Sequence, residues 1–231
     1  MLKQSPVAFL LDVDNTLLDN DRFGADLGAR LEQSFGHAQR ERYWAIYDLL
    51  RNELGYADYL GALQRFRAGL DNDPALLQMS AYLLEYPFAE RLFPHALDAI
   101  AHLQTLGRTL ILSDGDVVFQ PLKVERSGIA EAVDWNVLIY VHKEHELDDV
   151  EARYPADHYV LVDDKLRVLT AVKRVWGARV TTVFPRQGHY AHDPEALATY
   201  PAADLAVEGI GDLLDHDLSA ARYAGGREET G

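Results

Sequence analysis

The feature that most constrains this chain is a continuous apolar run, VAFLL at residues 7–11, followed at once by the acidic sequence DVDNT. Apolar strands without polar alternation are typical of parallel sheets, in which helices cover both faces. In such sheets ligands bind beyond the carboxyl ends of the strands. The sequence therefore predicts an α/β protein whose first strand delivers Asp12 and Asp14 to a functional site.

The residues after this segment show helical periodicity as far as about Phe93. Apolar side chains recur at every fourth position from Phe23 to Phe35, and Gly36 is suited to end that helix. Further apolar faces follow, and Pro74 is placed to begin the last of four helices. No strand-like alternation interrupts this block, which predicts an all-helical insert.

Short apolar runs and helical patterns alternate in the rest of the chain. The runs expected to form strands are TLIL (109–112), WNVLIYV (135–141), YVLV (159–162) and VTTVF (180–184). Strands separated by helices need right-handed crossovers, which produce a parallel sheet with helices on both faces. The expected fold is therefore α/β, with a three-layer, Rossmann-like parallel-sheet core.

The domain organisation follows from these patterns. We predict a core made of residues 1–17 and 94–222, a helical cap at residues 18–93, and a disordered tail at residues 223–231.

Charge and composition exclude several classes of protein. The 231 residues include 37 acidic and 22 basic side chains, a formal net charge of −15, which disfavours nucleic acid and anionic membranes as partners. A phosphorylated metabolite would be repelled as well, so its site needs a local cation. The absence of cysteine excludes disulfides and thiolate chemistry. No segment resembles a signal peptide or a membrane span, so we expect a cytoplasmic protein.

Asp12 and Asp14 lie two positions apart on an extended segment, so their side chains point the same way. Such a pair suits attack by one carboxylate and proton transfer or metal binding by the other. A calcium-binding loop is excluded, because Leu17 stands where a glycine is needed and Phe23 where a bidentate glutamate is needed. An ordinary polar turn is the remaining alternative.

Polar residues also follow the later strands. Ser113 and the N–H groups after it suit phosphate oxygens, with Gly115 allowing close approach. Lys143 follows WNVLIYV and is suited to neutralise an anion, while the histidines beside it match no closed zinc site in their spacing. Asp163 and Asp164 repel each other unless a cation lies between them, although one of them could cap the next helix.

Taken together, these residues resemble the haloacid dehalogenase-like superfamily. DVDNT corresponds to the first motif, Ser113 to the second, Lys143 to the third and Asp163-Asp164 to the fourth, in this order at successive strand ends. The helical insert is similar to the family's C1 cap. The resemblance covers nearly the whole chain.

The resemblance implies roles for the acidic residues. Asp12 would attack phosphorus and form an aspartyl-phosphate. Asp14 would protonate the leaving oxygen and then activate water. The implied cofactor is Mg²⁺, held by Asp12, the backbone carbonyl of Asp14 and Asp164, with Asp163 as a ligand or as support.

The resemblance also implies a phosphate site at the second and third motifs. Ser113, Asp114 and Gly115 would hold the transferring phosphoryl group. Asp114 is a departure, because many relatives have asparagine there, and it adds negative charge beside the phosphate. Lys143 would offset the charge of the nucleophile and the phosphate, with Lys123 as an alternative in a helix nearer the second motif.

We therefore expect a Mg²⁺-dependent phosphatase that hydrolyses a small phosphorylated metabolite, with the cap giving specificity. A family mutase would use the same residues, and a regulator that binds metal and phosphate without turnover is a further alternative. Carbon–halogen cleavage is less favoured, because family dehalogenases lack an acid at the position of Asp14. The loop at residues 184–192 could line the site or contact a partner, and the protein is expected to be a monomer or a homodimer.

Overall fold

The structure is a computed structural model that describes residues 5–70, 73–216 and 218, so the predicted disordered tail at 223–231 lies outside the described residues. Its strands are β1 (Ser5–Leu11), β2 (Arg108–Asp114), β3 (Val137–Tyr140), β4 (Ala156–Val162), β5 (Val180–Pro185) and β6 (Leu205–Val207). They form one parallel sheet in the order β3-β2-β1-β4-β5-β6. The predicted parallel sheet is thus confirmed.

Strand β1 lies in the middle of the sheet, with Phe9 opposite Thr109 of β2 on one side and Val160 of β4 on the other. Its alternate side chains point to opposite faces, as the pleat requires. Phe9 belongs to one buried apolar cluster and Leu10 to a second cluster. Helices cover both clusters, so the sheet is the middle of three layers, which confirms the Rossmann-like α/β fold.

Four helices follow β1, namely α1 (Asn20–Phe35), α2 (His37–Leu54), α3 (Tyr59–Phe66) and α4 (Pro74–Glu85). Gly36, at φ +84°, separates α1 from α2, and Pro74 begins α4, as the sequence predicts. Phe23 packs edge-on against Tyr59 and Tyr86, with ring centroids 5.1 and 4.8 Å apart. These contacts confirm an all-helical insert, while its limits at residues 18 and 93 remain a prediction.

The remaining α-helices each lie between two consecutive strands in the sequence. They are α5 (Ala96–Leu106), α6 (Phe119–Arg126), α7 (Ile129–Ala132), α8 (Leu147–Arg153), α9 (Leu166–Trp176) and α10 (Pro194–Thr199). Within the part of the chain that the structure describes, no helix is both long and apolar enough to cross a membrane.

The structure differs from the sequence prediction at two strands. The run at residues 135–141 was expected to be a strand throughout, but β3 begins only at Val137. Asp134 and Trp135 have φ of +52° and +59°, a left-handed conformation that a strand cannot contain, and Trp135 is 62% exposed. Strand β6 was missed, because its three residues at the edge of the sheet give too short a pattern.

Candidate active site

Asp12 directly follows β1, at the carboxyl end of the central strand. Its N–H donates to the carbonyl of Val162 over 3.0 Å, which places it beside the acids that follow β4. The side chain is buried, and Lys143 Nζ lies 2.5 Å from Asp12 Oδ1. Burial alone would raise the pKa of Asp12, but the ammonium groups of Lys143 and Lys165, together with the hydrogen bonds that the carboxylate accepts, outweigh burial and hold this pKa below its ordinary value. Asp12 is therefore kept as a carboxylate.

Lys143 is a fully buried lysine between two acids. Besides Asp12, its Nζ contacts Asp163 Oδ2 at 2.6 Å and the carbonyl oxygen of Leu112 at 3.1 Å. Burial disfavours the ammonium, but Asp12 and Asp163 outweigh that penalty and raise the pKa of Lys143 above its ordinary value. One charged lysine thus contacts two carboxylates, and burial still raises the pKa of Asp163 above its ordinary value.

Asp12, Asp163 and Asp164 bring one carboxylate oxygen each to within 4.8 Å of one another. Asp164 is fully buried, and neither of its carboxylate oxygens accepts a hydrogen bond within the described residues. The nearest cation to Asp164 is Lys165, whose Nζ lies 3.9 Å from Oδ1. Burial is the main reason that the pKa of Asp164 lies well above its ordinary value, and the neighbouring carboxylates of Asp163 and Asp12 add to it.

The donor set of this acidic cluster fits Mg²⁺. The cation prefers carboxylate and carbonyl oxygens, and two buried oxygens of Asp164 and one of Asp12 lack a hydrogen-bond partner among the described residues. In that part of the chain, no other group of three or more histidine or acidic side chains is close enough to share a metal. A zinc site at His142 and His145 is thus not formed.

Neither acid of the pair caps helix α9. The sequence allowed Asp163 or Asp164 to serve as its N-cap, but the residue in that position is Lys165, which makes no side-chain capping bond. Asp163 instead accepts the N–H of Lys165 over 2.8 Å through Oδ1. This bond turns the chain at the end of β4 and keeps both carboxylates directed toward Asp12.

Asp14 is held on both carboxylate oxygens by helix α6. Lys123 Nζ lies 2.7 Å from Asp14 Oδ1, and Gln120 Nε2 lies 3.4 Å from Asp14 Oδ2. Lys123 also donates to Asn20 Oδ1 over 2.9 Å, and Gln120 donates to Ser113 Oγ over 3.0 Å. Because Gln120 and Lys123 are three residues apart on one helix, their side chains share a face.

The two lysines of the sequence analysis are both in the site, and neither replaces the other. Lys143 contacts Asp12, whereas Lys123 contacts Asp14. Lys123 is fully buried, and the centroids of four aromatic rings lie 5.8–5.9 Å from its Nζ. The rings belong to Phe23, Tyr59, Phe88 and Phe119.

The end of β2 is shaped by hydrogen bonds that the sequence did not reveal. Ser113 is buried next to Gln120. Asp114 Oδ1 accepts the backbone N–H of Lys143 over 2.8 Å, and burial raises the pKa of Asp114. A Cβ at Gly115 would lie 2.6 Å from the side chain of Gln120, so this glycine makes room for Gln120. Phosphate binding by these residues stays a prediction.

The loop after β5 packs against the turn that contains Asp14. Asn15 adopts φ +60°, and its Oδ1 accepts the N–H groups of Asn20 and Asp21 at the start of α1. Gly188, at φ +68°, approaches so closely that a Cβ there would lie 2.4 Å from Asn15 Cβ. His189 Nδ1 lies 2.6 Å from Asp21 Oδ1. The loop at residues 184–192 therefore lies at the edge of the site.

A cleft of about 760 Å³ lies between the helical insert and the core loops. Asp14, Asp114 and Lys165 are on its core side. Its walls include aromatic side chains from several segments, among them Trp44, Tyr47, Tyr56, Tyr59, Tyr190 and Tyr200. Asp12 is not part of the cleft surface, and it is only 2% exposed. The nucleophile predicted from the sequence thus lies beneath the cleft.

Comparison with solved structures identifies a close relative of this chain. A crystal structure from Burkholderia xenovorans LB400, described as a haloacid dehalogenase-like hydrolase, is 58% identical over 91% of this chain and 96% of that chain, with a TM-score of 0.86. The chain belongs to the haloacid dehalogenase-like hydrolase family. Searches of family models and of curated proteins gave no match.

This hydrolase shares its fold with more distant proteins of known structure. L-2-haloacid dehalogenase from Xanthobacter autotrophicus is 18% identical over 90% of this chain and 96% of that chain, with a TM-score of 0.59. The HAD-hydrolase YfnB from Bacillus subtilis, whose structure contains magnesium, is 17% identical over the same shares, with a TM-score of 0.58. Such identities show the fold alone, so the reaction of this hydrolase has to be argued from its site.

Three polar residues of the hydrolase's site were missed from the sequence. Gln120 donates a hydrogen bond to Asp14, and Asn20 accepts one from Lys123. Lys165 is the cation next to Asp164. The spacing of Gln120 and Lys123 on one face of α6 is the signal from which Gln120 was predictable. Lys165 directly follows the acidic pair, and its position next to two carboxylates is a comparable signal.

Proposed function

We propose that this hydrolase is a Mg²⁺-dependent phosphatase of the C1-capped type, which cleaves a small phosphate monoester through an aspartyl-phosphate. The observation that carries the proposal is the arrangement of the acids. Asp12 is a charged carboxylate beside Lys143, and Asp14 is a second carboxylate held on both oxygens by α6. A nucleophile and a proton-transfer group on one short segment match what ester cleavage needs.

The metal would be bound by Asp12, Asp164 and the backbone carbonyl of Asp14, with Asp163 as a further ligand or as support. The unpaired buried oxygens of Asp164 and Asp12 support this assignment. When bound, Mg²⁺ supplies positive charge that orients the phosphate and offsets the charge of the transferring group. A local cation is needed, because the chain carries a formal net charge of −15.

The reaction has two steps on the chain's own residues. Asp12 attacks phosphorus, the bond between phosphorus and the ester oxygen breaks, and Asp14 gives its proton to that oxygen, so the alcohol leaves. Water then attacks the phosphorus of the aspartyl-phosphate while Asp14 takes a proton from it, which releases inorganic phosphate and restores both acids.

Asp14 favours ester hydrolysis over carbon–halogen cleavage. Alkoxide is a poor leaving group until it is protonated, whereas halide leaves without a proton. Lys123 and Gln120 both donate hydrogen bonds to the carboxylate of Asp14. Dehalogenation has no use for an acid at this position, so its two hydrogen-bond donors support ester hydrolysis.

The buried position of Asp12 indicates that the cap moves during turnover. Substrate has to reach a carboxylate that is only 2% exposed beneath the cleft. Within the described residues, side-chain contacts join the insert to the loop after β5 at two places, between Asp21 and His189 and between Arg51 and Tyr190. We propose that these contacts open for substrate and re-form before transfer, so that water is excluded during the first step.

The test is phosphate release from a panel of phosphate monoesters with Mg²⁺ and with EDTA, run beside chloride release from L-2-chloropropionate. The proposal expects phosphate release that EDTA abolishes and added Mg²⁺ restores, together with an acid-stable phosphoenzyme in a rapid quench. Chloride release without phosphate release would identify a dehalogenase and overturn the proposal. Full phosphatase activity in EDTA would show that the reaction does not need a metal ion.

A further inference from the structure

The cleft is far larger than a phosphate group requires. Its volume of about 760 Å³ is in the range of sites that enclose a whole small molecule. The space beyond Asp14 and Asp114 must therefore receive the alcohol part of the ester. The side chains around that space indicate the chemical class of this leaving group, on the assumption that the proposed phosphatase function is correct.

Charge in the cleft is uneven. The three carboxylates on its surface already have partners, since Asp14 binds Lys123, Asp21 binds His189, and Asp114 accepts the N–H of Lys143. The acidic side chains that line the cleft are thus already paired, and none of them contacts the cation on the wall formed by α2.

That cation is Arg51, in the last turn of α2. Among the described residues its guanidinium has one hydrogen-bond partner, the neutral hydroxyl of Tyr190, and no carboxylate. By contrast, Arg167 in the same cleft is paired with Glu144. A guanidinium has five donors in a planar fork that matches a carboxylate or a phosphate. Arg51 therefore has donors to spare for an anionic group of the substrate.

The walls beside Arg51 are aromatic. Tyr47 packs against Trp44 and Tyr59, with ring centroids 5.3 and 4.9 Å apart, and these three rings form the wall on the side of the insert. Tyr190 faces the cleft from the core side, with Arg51 5.8 Å from its ring centroid. Aromatic faces and edges favour a planar ring over a puckered or branched chain.

We propose that the substrate is a phosphate monoester whose leaving group contains a planar ring and carries a second anionic group, which Arg51 binds. The phosphate is placed over Asp12, the ring lies between the aromatic walls, and the second anion pairs with the guanidinium. The phosphate end of such a substrate lies near Lys143, and the second anion lies near Arg51. Both cations are needed, because the net negative charge of the protein repels anions elsewhere.

The experiment compares three synthetic esters with the same type of leaving alkoxide, namely benzyl, cyclohexylmethyl and 4-carboxybenzyl phosphate. We expect kcat/KM to be higher for the benzyl than for the cyclohexylmethyl ester, and a further 10- to 100-fold higher for the carboxylated ester, as a charged hydrogen bond provides. Arg51→Met should remove the gain from the carboxylate, and it should lower kcat/KM for the benzyl ester only by the smaller factor that loss of the contact with Tyr190 causes. Replacing the carboxylate by a second phosphate identifies which anion is preferred.

Tyr190→Phe is the matched control, because it removes the hydroxyl that Arg51 contacts and keeps the ring. Tyr190→Phe should keep the gain from the carboxylate, because Arg51 is still present. If Arg51 only ties the insert to the core, both variants will slow all three esters by the same factor, and the proposal is overturned. It is also overturned if the wild-type enzyme gains nothing from the carboxylate or from the planar ring while it hydrolyses all three esters. If none of the esters releases phosphate with Mg²⁺, and the broader panel is also inert, the phosphatase function itself is wrong.

Discussion

Lys123 and Asp14 form an ion pair beneath the cleft, with Lys123 Nζ 2.7 Å from Asp14 Oδ1. The lysine side chain is fully buried, whereas that of Asp14 is 22% exposed, so the pair points the carboxylate from a dry interior toward the cleft. Lys123 also binds Asn20, the first residue of α1. A single ammonium therefore joins the proposed acid–base group to the beginning of the helical insert.

Lys123→Met should weaken turnover through Asp14. Methionine keeps the apolar stem among the surrounding rings but leaves Oδ1 of Asp14 without its donor, so the carboxylate is free to turn away. We expect alkyl ester hydrolysis to fall by about 10²-fold, as a misplaced catalytic group does. Aryl esters, whose leaving group needs little protonation, should fall less. The ratio of kcat on the two esters, with the melting temperature as a control for folding, distinguishes this role from general destabilisation, which would lower both equally.

Replacing the two acids of the first motif, one at a time, should affect different steps of the reaction. Asp12→Asn removes the nucleophile and should abolish the phosphoenzyme. Asp14→Asn retains the backbone carbonyl and removes proton transfer, so alkyl ester cleavage should slow by roughly 10²–10⁴-fold, with a smaller loss on aryl esters. Rapid-quench trapping and steady-state rates check both variants. A phosphoenzyme in Asp12→Asn, or equal losses on both esters in Asp14→Asn, would contradict the assigned roles.

Asp164→Asn should weaken Mg²⁺ binding. Both oxygens of Asp164 are buried without a hydrogen-bond partner in the described structure, and the amide keeps the shape of the side chain but not its charge. We expect the dissociation constant for Mg²⁺ to rise by more than the roughly 10–100-fold that loss of an outer hydrogen-bond partner causes. Calorimetric titration of the metal alone measures this. Asp149→Asn, at a partly exposed position of helix α8, makes the same change of side chain away from the cluster and should leave the affinity unchanged.

His158 should make stability depend on pH. Burial, and secondarily Lys173, lower the pKa of His158 below its ordinary value of 6.5, and its Nε2 lies 2.9 Å from the Thr181 hydroxyl oxygen. Below that value the unfolded chain takes up a proton that the folded chain still refuses, so the free energy of unfolding falls as pH drops through the window under 6.5. Above it the contribution is complete and constant.

His158→Gln tests this dependence, because the amide is able to contact Thr181 but does not titrate. The melting temperature of the variant should decrease less than that of the wild type as the pH is lowered from about 7 to about 5. Other acids titrate in both proteins, so only the difference between the two curves reports on His158. Parallel curves would show that His158 does not carry the effect.

The sequence predicted the strand ends well, because buried apolar runs followed by polar residues have few alternative explanations. Strand β4 and helix α9 appear where the patterns place them, and Asp12, Lys143 and Asp163 come together as expected for neighbouring parallel strands. Strand β3 was overestimated, since the left-handed conformation at Trp135 depends on how the preceding helix ends.

Contacts between side chains from distant segments were harder to predict. The pairing of Lys123 with Asp14 joins residues 109 positions apart, and it depends on how α6 is seated against the turn after β1. The sequence treated Lys123 and Lys143 as competitors for one role, because spacing cannot tell which of two acids a lysine reaches. The partnership between Arg51 and Tyr190 likewise exists only once the insert lies against the loop after β5.

Asp12, the proposed nucleophile, directly follows β1, and the central position of β1 makes it one of the last segments expected to unfold. β1 is paired along both edges, by β2 and β4, and each of its faces is covered by one of the two apolar clusters. Amide hydrogens in such a strand exchange with solvent mainly when the whole domain unfolds, whereas partly exposed contacts such as that between Asp21 and His189 open locally. The proposed nucleophile is thus attached to a rigid strand, while the proposed opening of the insert breaks only local contacts, so that opening would change access to Asp12 without shifting its carboxylate.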